Sequence, residues 1–288
     1  DRSDTLLRMV KAEDLVQYGF ESEFIGRLPI IATFEPLTVD DLYAILKNTN
    51  SAVINSKKRD FMAYGIDIRF EDAALRRIAE MAHEEKTGAR GLVSAVERVL
   101  LKYEKALPST AIKKLVITEA MVLHPQQEFE SFVQMGNFAV LYERHRELIS
   151  REEAELTQRL LAMQEALDEA AHFLLEAPYL STVVKVTVEK CLDYRTVLED
   201  AVLIVYEARE FEKTFSNYHG VDIHFDESAL NRIVERVLMD GLDAGSFLKG
   251  LFLNYHHGLK LIQERTGTKS FIFTDRTIDD PQDYLNLL

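Results

Sequence analysis

The sequence predicts a mostly α fold with small β elements (α+β), and three observations predict it. Apolar residues recur at helical spacing along most of the chain. Glycine and proline, the strongest breakers, number only 12 and 6 in 288 residues. A short strand-to-helix pattern occurs twice.

The elements follow in order. Residues 9–25 read as a helix and turn leading into Arg27, and Ile30-Ile31-Ala32-Thr33-Phe34 is a β-branched run that reads as a strand. Thr38 can cap a helix start, with Asp41 three residues on completing a capping box. That helix is expected to run to about Tyr64, where Gly65 breaks it. Ile66, Ile68 and Phe70 alternate as a strand. Asp72 begins a helix with Leu75, Ile78, Ala79 and Ala82 on one face. Another starts near Gly91 and carries Leu92, Val96, Val99, Leu100 and Tyr103. Residues 112–117 close the unit as a strand.

The repeat is specific. Gly65-Ile66-Asp67-Ile68-Arg69-Phe70-Glu71-Asp72-Ala73-Ala74-Leu75 returns as Gly220-Val221-Asp222-Ile223-His224-Phe225-Asp226-Glu227-Ser228-Ala229-Leu230. Arg77, Ile78 and Glu80 match Arg232, Ile233 and Glu235 at the same offset. Leu115-Val116-Ile117-Thr118 matches Phe271-Ile272-Phe273-Thr274 after one inserted residue. A constant offset over this many positions reads as a duplicated helix-strand-helix-helix-strand unit rather than two domains that share a common turn. At that offset Gly88-Ala89-Arg90 falls on Asp243-Ala244-Gly245, so an arginine becomes glycine and an acid arrives. An acid repels phosphate, and the second copy is expected to keep the scaffold alone.

Between the copies, about residues 126–192, Leu156, Leu160, Met163, Leu167, Ala170 and Leu174 recur at alternating four and three spacing, with Pro178 expected to end the pattern. This reads as a helical hairpin packing within the chain, or as an inserted arm that touches a partner or substrate.

Composition narrows the function. Forty-eight acids against thirty-four bases give a net charge of -14, which repels a phosphate backbone and argues against nucleic acid as a partner. The single cysteine, Cys191, excludes an internal disulfide and fits a reducing cytosol. No apolar run is long enough to span a membrane. The chain opens on Asp1-Arg2-Ser3-Asp4, which suggests a piece of a longer protein. His256-His257 are adjacent and diverge on a helix, His219 and His224 read as surface or boundary residues, and no metal site is expected. His83-Glu84-Glu85-Lys86 lacks the second histidine of a zinc-peptidase motif. Cys191 reads as a buried thiol, and Phe247, Leu248, Leu251, Phe252 and Tyr255 as a core stripe.

Two arginines carry the chemistry. Arg27 stands in Glu23-Phe24-Ile25-Gly26-Arg27-Leu28-Pro29 and Arg90 in Thr87-Gly88-Ala89-Arg90-Gly91-Leu92. A planar, always-charged guanidinium suits charge that builds on phosphates. No Gly-x-x-x-x-Gly-Lys-Ser/Thr loop accompanies them. With Asp14-Leu15-Val16-Gln17-Tyr18-Gly19, these motifs resemble the ClpX-type, Clp/HslU branch of the AAA+ protein-unfolding ATPases over roughly residues 10–120.

The resemblance implies Arg27 as an arginine finger acting in trans on a neighbouring subunit's nucleotide. It implies Gly88, Ala89 and Arg90 as the sensor-2 segment acting in cis. Residues 35–38 match the hinge, with Leu37 near its centre. It further implies ATP, with Mg2+ in the whole protein, and identical subunits in a hexameric ring. The implied setting is a cytoplasmic chaperone or unfoldase with protein substrates and room for a partner peptidase. The Walker A, Walker B and sensor 1 segments would lie upstream, so this chain alone should be inactive. The family protein would end near residue 123. The expected division is 1–36, the end of the large subdomain; 37–123, the small lid subdomain; 124–193, a helical arm or hairpin; and 194–288, a degenerate repeat of the small subdomain. The competing reading is a non-catalytic interaction or oligomerisation module with vestigial ATPase motifs.

Overall fold

The computed structural model describes residues 6–28, 30–134, 139–253 and 255–280. It is mainly helical, with two separate two-stranded sheets.

The chain enters through α1 (Ala12–Tyr18) and α2 (Ser22–Gly26). The strand expected at Ile30–Phe34 is absent. The segment is irregular, and Ile30 and Phe34 face solvent at 81% and 89% exposure. β propensity needs a pairing partner, and among the described residues none lies beside it. Thr38 then caps α3 (Val39–Lys47), accepting from Asp41 N while the Asp41 carboxylate accepts from Thr38 N. The single helix expected to reach Tyr64 is instead two. Asn48-Thr49-Asn50-Ser51 interrupts it, and α4 spans Ala52–Met62. Asn50 N donates to the Asn48 side chain and Ser51 N to the Asn48 carbonyl, local bonds that compete with the helix ladder.

Gly65, at φ +71, turns the chain into β1 (Asp67–Phe70). α5 (Asp72–Glu84) and α6 (Ala89–Ala106) cross over to β2 (Lys114–Ile117), which pairs parallel with β1. Ile68, Phe70, Leu75, Ile78, Leu92, Val96, Val99 and Tyr103 share one core. α7 (Glu119–Leu123) and α8 (Pro125–Gln134) follow.

The long α9 (Ala139–Ala162) packs across β1 and β2. The heptad seam does not continue as one helix. After Ala162 come 3-10 turns at Gln164–Ala166 and Glu169–Leu175, the second capped by Asp168 accepting from Ala170 N. Leu156, Leu160 and Leu174 are buried nonetheless, in a second core. Pro178 precedes α10 (Tyr179–Lys190) rather than closing a helix. α11 (Tyr194–His219) leads through Gly220 into β3 (Asp222–Phe225). α12 (Glu227–Asp240), α13 (Ala244–Phe252) and α14 (Tyr255–Thr266) carry the chain to β4 (Ser270–Phe273), with α15 (Asp275–Asp279) beyond.

The two sheets share one register. Asp67 pairs with Lys114 and Phe70 with Ile117; Asp222 pairs with Ser270 and Phe225 with Phe273. These are the positions that the sequence repeat aligns. The units differ in their second crossover helix, which is continuous in α6 and divided into α13 and α14 in the second unit.

A buried polar cluster ties the first unit to α9 and α10. Arg69 points out of the first sheet and is fully buried beneath α9 and α10. Its Nη1 donates to Glu152 Oε2 at 2.6 Å, its Nε to Asp67 Oδ1 at 2.9 Å, and its Nη2 to the Val188 carbonyl at 3.2 Å. Lys58 Nζ donates to Glu152 Oε1 at 2.9 Å. His145 Nε2 stands 3.2 Å from Asp67 Oδ2, in a geometry that does not complete a hydrogen bond. Arg59 Nη1 donates to the Cys191 carbonyl at 2.7 Å. Burial pushes the Glu152 carboxyl up, but Lys58 and Arg69 together hold it below its ordinary value. Asp67 is likewise pushed up by burial and held low overall by His145 and Arg69.

Removing one partner of such a cluster strands buried charge, so Arg69→Met should cost about 3 kcal/mol in urea denaturation. A loss well under about 1 kcal/mol would show that the cluster does not hold α9 and α10 on the first unit. Both carboxyls have depressed folded pKa values, so the stability they contribute is present above the ordinary carboxylate range. It is lost as pH falls through the lower folded values, and the urea midpoint should fall steeply below about pH 4. In Arg69→Met that fall should be shallower.

Candidate functional site

Arg27 follows directly on α2, which buries Ile25 and leaves Phe24 exposed, and Leu28 just beyond it is exposed too. Its Nη2 lies 2.8 Å from Glu23 Oε1, with the two side chains 77% and 80% exposed. Such a pair in water is weak and readily exchanged for another anion. Pro29, the last residue of the motif, lies outside the described residues. Leu37 packs against the first core, just before the Thr38 cap.

Gly88, Ala89 and Arg90 form the corner between α5 and α6. Gly88 has φ +64 and ψ -143, a conformation that side-chain-bearing residues avoid. It is the N-cap of the 18-residue α6, and no side chain caps that end. The first-turn N–H groups of a helix are orphan donors with a partial positive charge. Arg90 is exposed in this same turn. Gly91 is fixed by space: a Cβ there would meet Thr87 Oγ1 at 2.7 Å and the Ala82 carbonyl oxygen at 3.0 Å. α6 therefore starts hard against the end of α5. The corner combines an uncapped helix start with an exposed guanidinium, an arrangement chemically suited to a phosphate. Among the described residues Arg27 pairs with Glu23, four residues before it, and not with a group of the Gly88–Arg90 corner.

The second unit's corner is built differently. Asp243 stands where Gly88 stands, at an ordinary φ of -79, and its Oδ2 accepts from Ser246 N at 2.7 Å. These hydrogen bonds hold the Asp243 carboxyl below its ordinary value. The helix start that is open in the first unit is occupied by the chain's own carboxylate in the second.

Residues 37–104 match the family described as the C-terminal, D2-small domain, of ClpB protein. The chain is also similar to the ATP-dependent clpX-like chaperone, mitochondrial, of Saccharomyces cerevisiae. The two are 32% identical over 159 residues, 55% of this chain and 31% of that relative. The chain carries a ClpX-like AAA+ C-terminal portion. It spans about a third of the length of the relative it matches. The ClpB-type match starts at Leu37 and takes in α3, α4, β1, α5 and most of α6, so the Gly88–Arg90 corner of the ClpX-like portion lies inside it.

The residues that tie this ClpX-like portion to α9, Lys58, Arg69, His145 and Glu152, were not singled out from the sequence. The available signal was Arg69 and Asp67 on the outward face of a strand otherwise apolar. Cys191 is buried, and burial pushes its thiol up. His219 packs its ring on Phe215, and His224 lies exposed beside Arg209 and Glu212. The side chains of His256 and His257 lie outside the described residues. No helix among the described residues is long and apolar enough to cross a membrane.

Gly91→Ala should lower stability by about 1–3 kcal/mol through overpacking against Thr87 and the Ala82 carbonyl, read as a drop in melting temperature. An unchanged melting temperature would mean that the corner has more slack than the geometry gives it.

Proposed function

We propose that this chain is the C-terminal part of an ATP-dependent protein-remodelling machine, an unfoldase of the ClpX type. ATP, with Mg2+, is held and hydrolysed at subunit interfaces of a ring. The observation that carries this reading is the open corner at Gly88–Arg90, with its uncapped helix start and exposed guanidinium inside the ClpB-type match. Arg90 reaches the nucleotide of its own subunit. Because it rides on the small domain, phosphate loss changes the angle between the domains. Arg27, exposed and lightly held by Glu23, reaches the nucleotide of the neighbouring subunit. Hydrolysis then depends on assembly, and a finger of this kind supplies about three to five orders of magnitude in rate. The ring is a hexamer of identical subunits, and its substrates are proteins, delivered or remodelled with or without a peptidase. The division is 1–36, 37–123, 124–193 and 194–288, with the last unit a scaffold that does not sense nucleotide. The lone buried thiol supports a reducing compartment such as the cytoplasm.

A second reading, a non-catalytic interaction module, draws on the self-capped Asp243 corner. ATPase activity of the full-length parent, measured beside ring size, separates the two. Arg27→Ala and Arg90→Ala should each abolish turnover, by about a thousandfold or more for Arg27→Ala, while rings still form. Full turnover in assembled Arg27→Ala rings would refute the finger, and no turnover in the parent would favour the module.

A further inference from the structure

The second unit's altered corner opens onto a groove. The space, about 380 Å3, lies between α11 and the α12–α13 turn. Asp200, Leu203 and Glu207 line it from α11, and Val237, Leu242 and Asp243 from the other side. The spacing of three and four puts the α11 residues on one helical face. Leu203 and Leu242 are 54% and 46% exposed, while Val237 is buried and forms the floor. The lining contains three acids and no lysine or arginine. Some acids elsewhere in this unit face a cation: Glu212 and Glu227 face Arg209, and Glu235 faces Lys185 and Arg232. An apolar trough with an acidic rim is complementary to one kind of surface, apolar side chains flanked by cations. A second copy of this chain, at net charge -14, would bring like charge to it. Nucleic acid and anionic lipid would be repelled for the same reason.

We propose that the groove between α11 and the α12–α13 turn docks a basic amphipathic helix of a partner protein. Leucine-like side chains of that helix fill the trough, and its Lys or Arg residues pair with Asp200, Glu207 and Asp243. The proposal does not depend on Arg27 or Arg90, so its failure would leave the nucleotide reading untouched.

The probe is a fluorescein-labelled synthetic helix of leucine and lysine, with leucines at i, i+3, i+4 and i+7. Its scrambled isomer serves as the control for composition. Binding to the whole chain is read by anisotropy, and the site by hydrogen-exchange protection. The helix should bind and protect α11 and the α12–α13 turn, and the scrambled peptide should bind far more weakly. D200K/E207K should weaken binding by about tenfold or more. L203S, at an exposed position, should weaken it while circular dichroism stays unchanged. E147K/E264K, an equal charge change at exposed acids outside the groove, should leave it intact. Four results would each overturn the proposal: no binding to the unaltered chain, equal binding of the scrambled peptide, equal losses in the two charge-reversed variants, or protection mapped elsewhere.

Discussion

Arg69 is the residue on which the arrangement of the chain depends. A four-residue strand can bury one face in its own unit, and the other face must meet water or a second element. In β1 that other face carries Asp67 and Arg69, and α9 lies across it. A guanidinium cannot be covered this way unless its donors are satisfied. Glu152 from α9, Asp67 from the same strand and the Val188 carbonyl from α10 supply the acceptors. These partners fix where α9 sits along the sheet and where the end of α10 must come. Apolar contact alone would tolerate sliding; a forked donor with three separate acceptors does not. The bonds of Lys58 to Glu152 and Arg59 to the Cys191 carbonyl extend the same tie along α4.

The second unit shows the fold without that constraint. His224 occupies the position of Arg69 and is exposed, as is Ile272 beside it on β4. Its sheet keeps the register, and Ile223, Phe225, Phe271 and Phe273 remain buried, because those residues face the unit's own core. The inward face is thus common to both units, and the outward face is free to differ. The inward half of the pattern is what made the repeat visible in sequence.

Legibility followed the range of the interaction. The Thr38–Asp41 cap, the Gly65 turn and the helical apolar stripes are local, and each could be read directly. The Asn48–Ser51 break was harder: four polar residues in a row are tolerated on a helix surface, and only their side-chain bonds to nearby backbone show that the helix stops. Ile30–Phe34 has strand composition and no strand, because a ladder is a property of two segments. Of the seam, Leu156, Leu160 and Leu174 are buried, Met163 and Leu167 half-buried and Ala170 exposed, because 3-10 turns replace the helix after Ala162 and shift which positions face the core. Arg69 was illegible because its partner lies on a helix far along the chain. The candidate site was legible as two arginine motifs; the uncapped helix start, the constraint on Gly91 and the Asp243 contrast needed coordinates.

Divergence between the corners is explained by what they do not support. Gly88, Ala89 and Arg90 contribute almost nothing to the first core, and in the second unit only Ala244 of the matching three is buried. Changing such residues leaves packing and register intact. Capping chemistry, by contrast, changes completely. A glycine at positive φ leaves donors and an arginine facing outward, whereas an aspartate closes the helix start on itself and leaves an anion at the surface. In a chain of net charge -14, an anion is repelled nearly everywhere, so a corner that receives phosphate must be cationic locally and free of a capping carboxylate. The first corner carries Arg90 and no capping carboxylate, and the second carries the Asp243 carboxylate and no arginine, so the same scaffold presents opposite charge at its two corners.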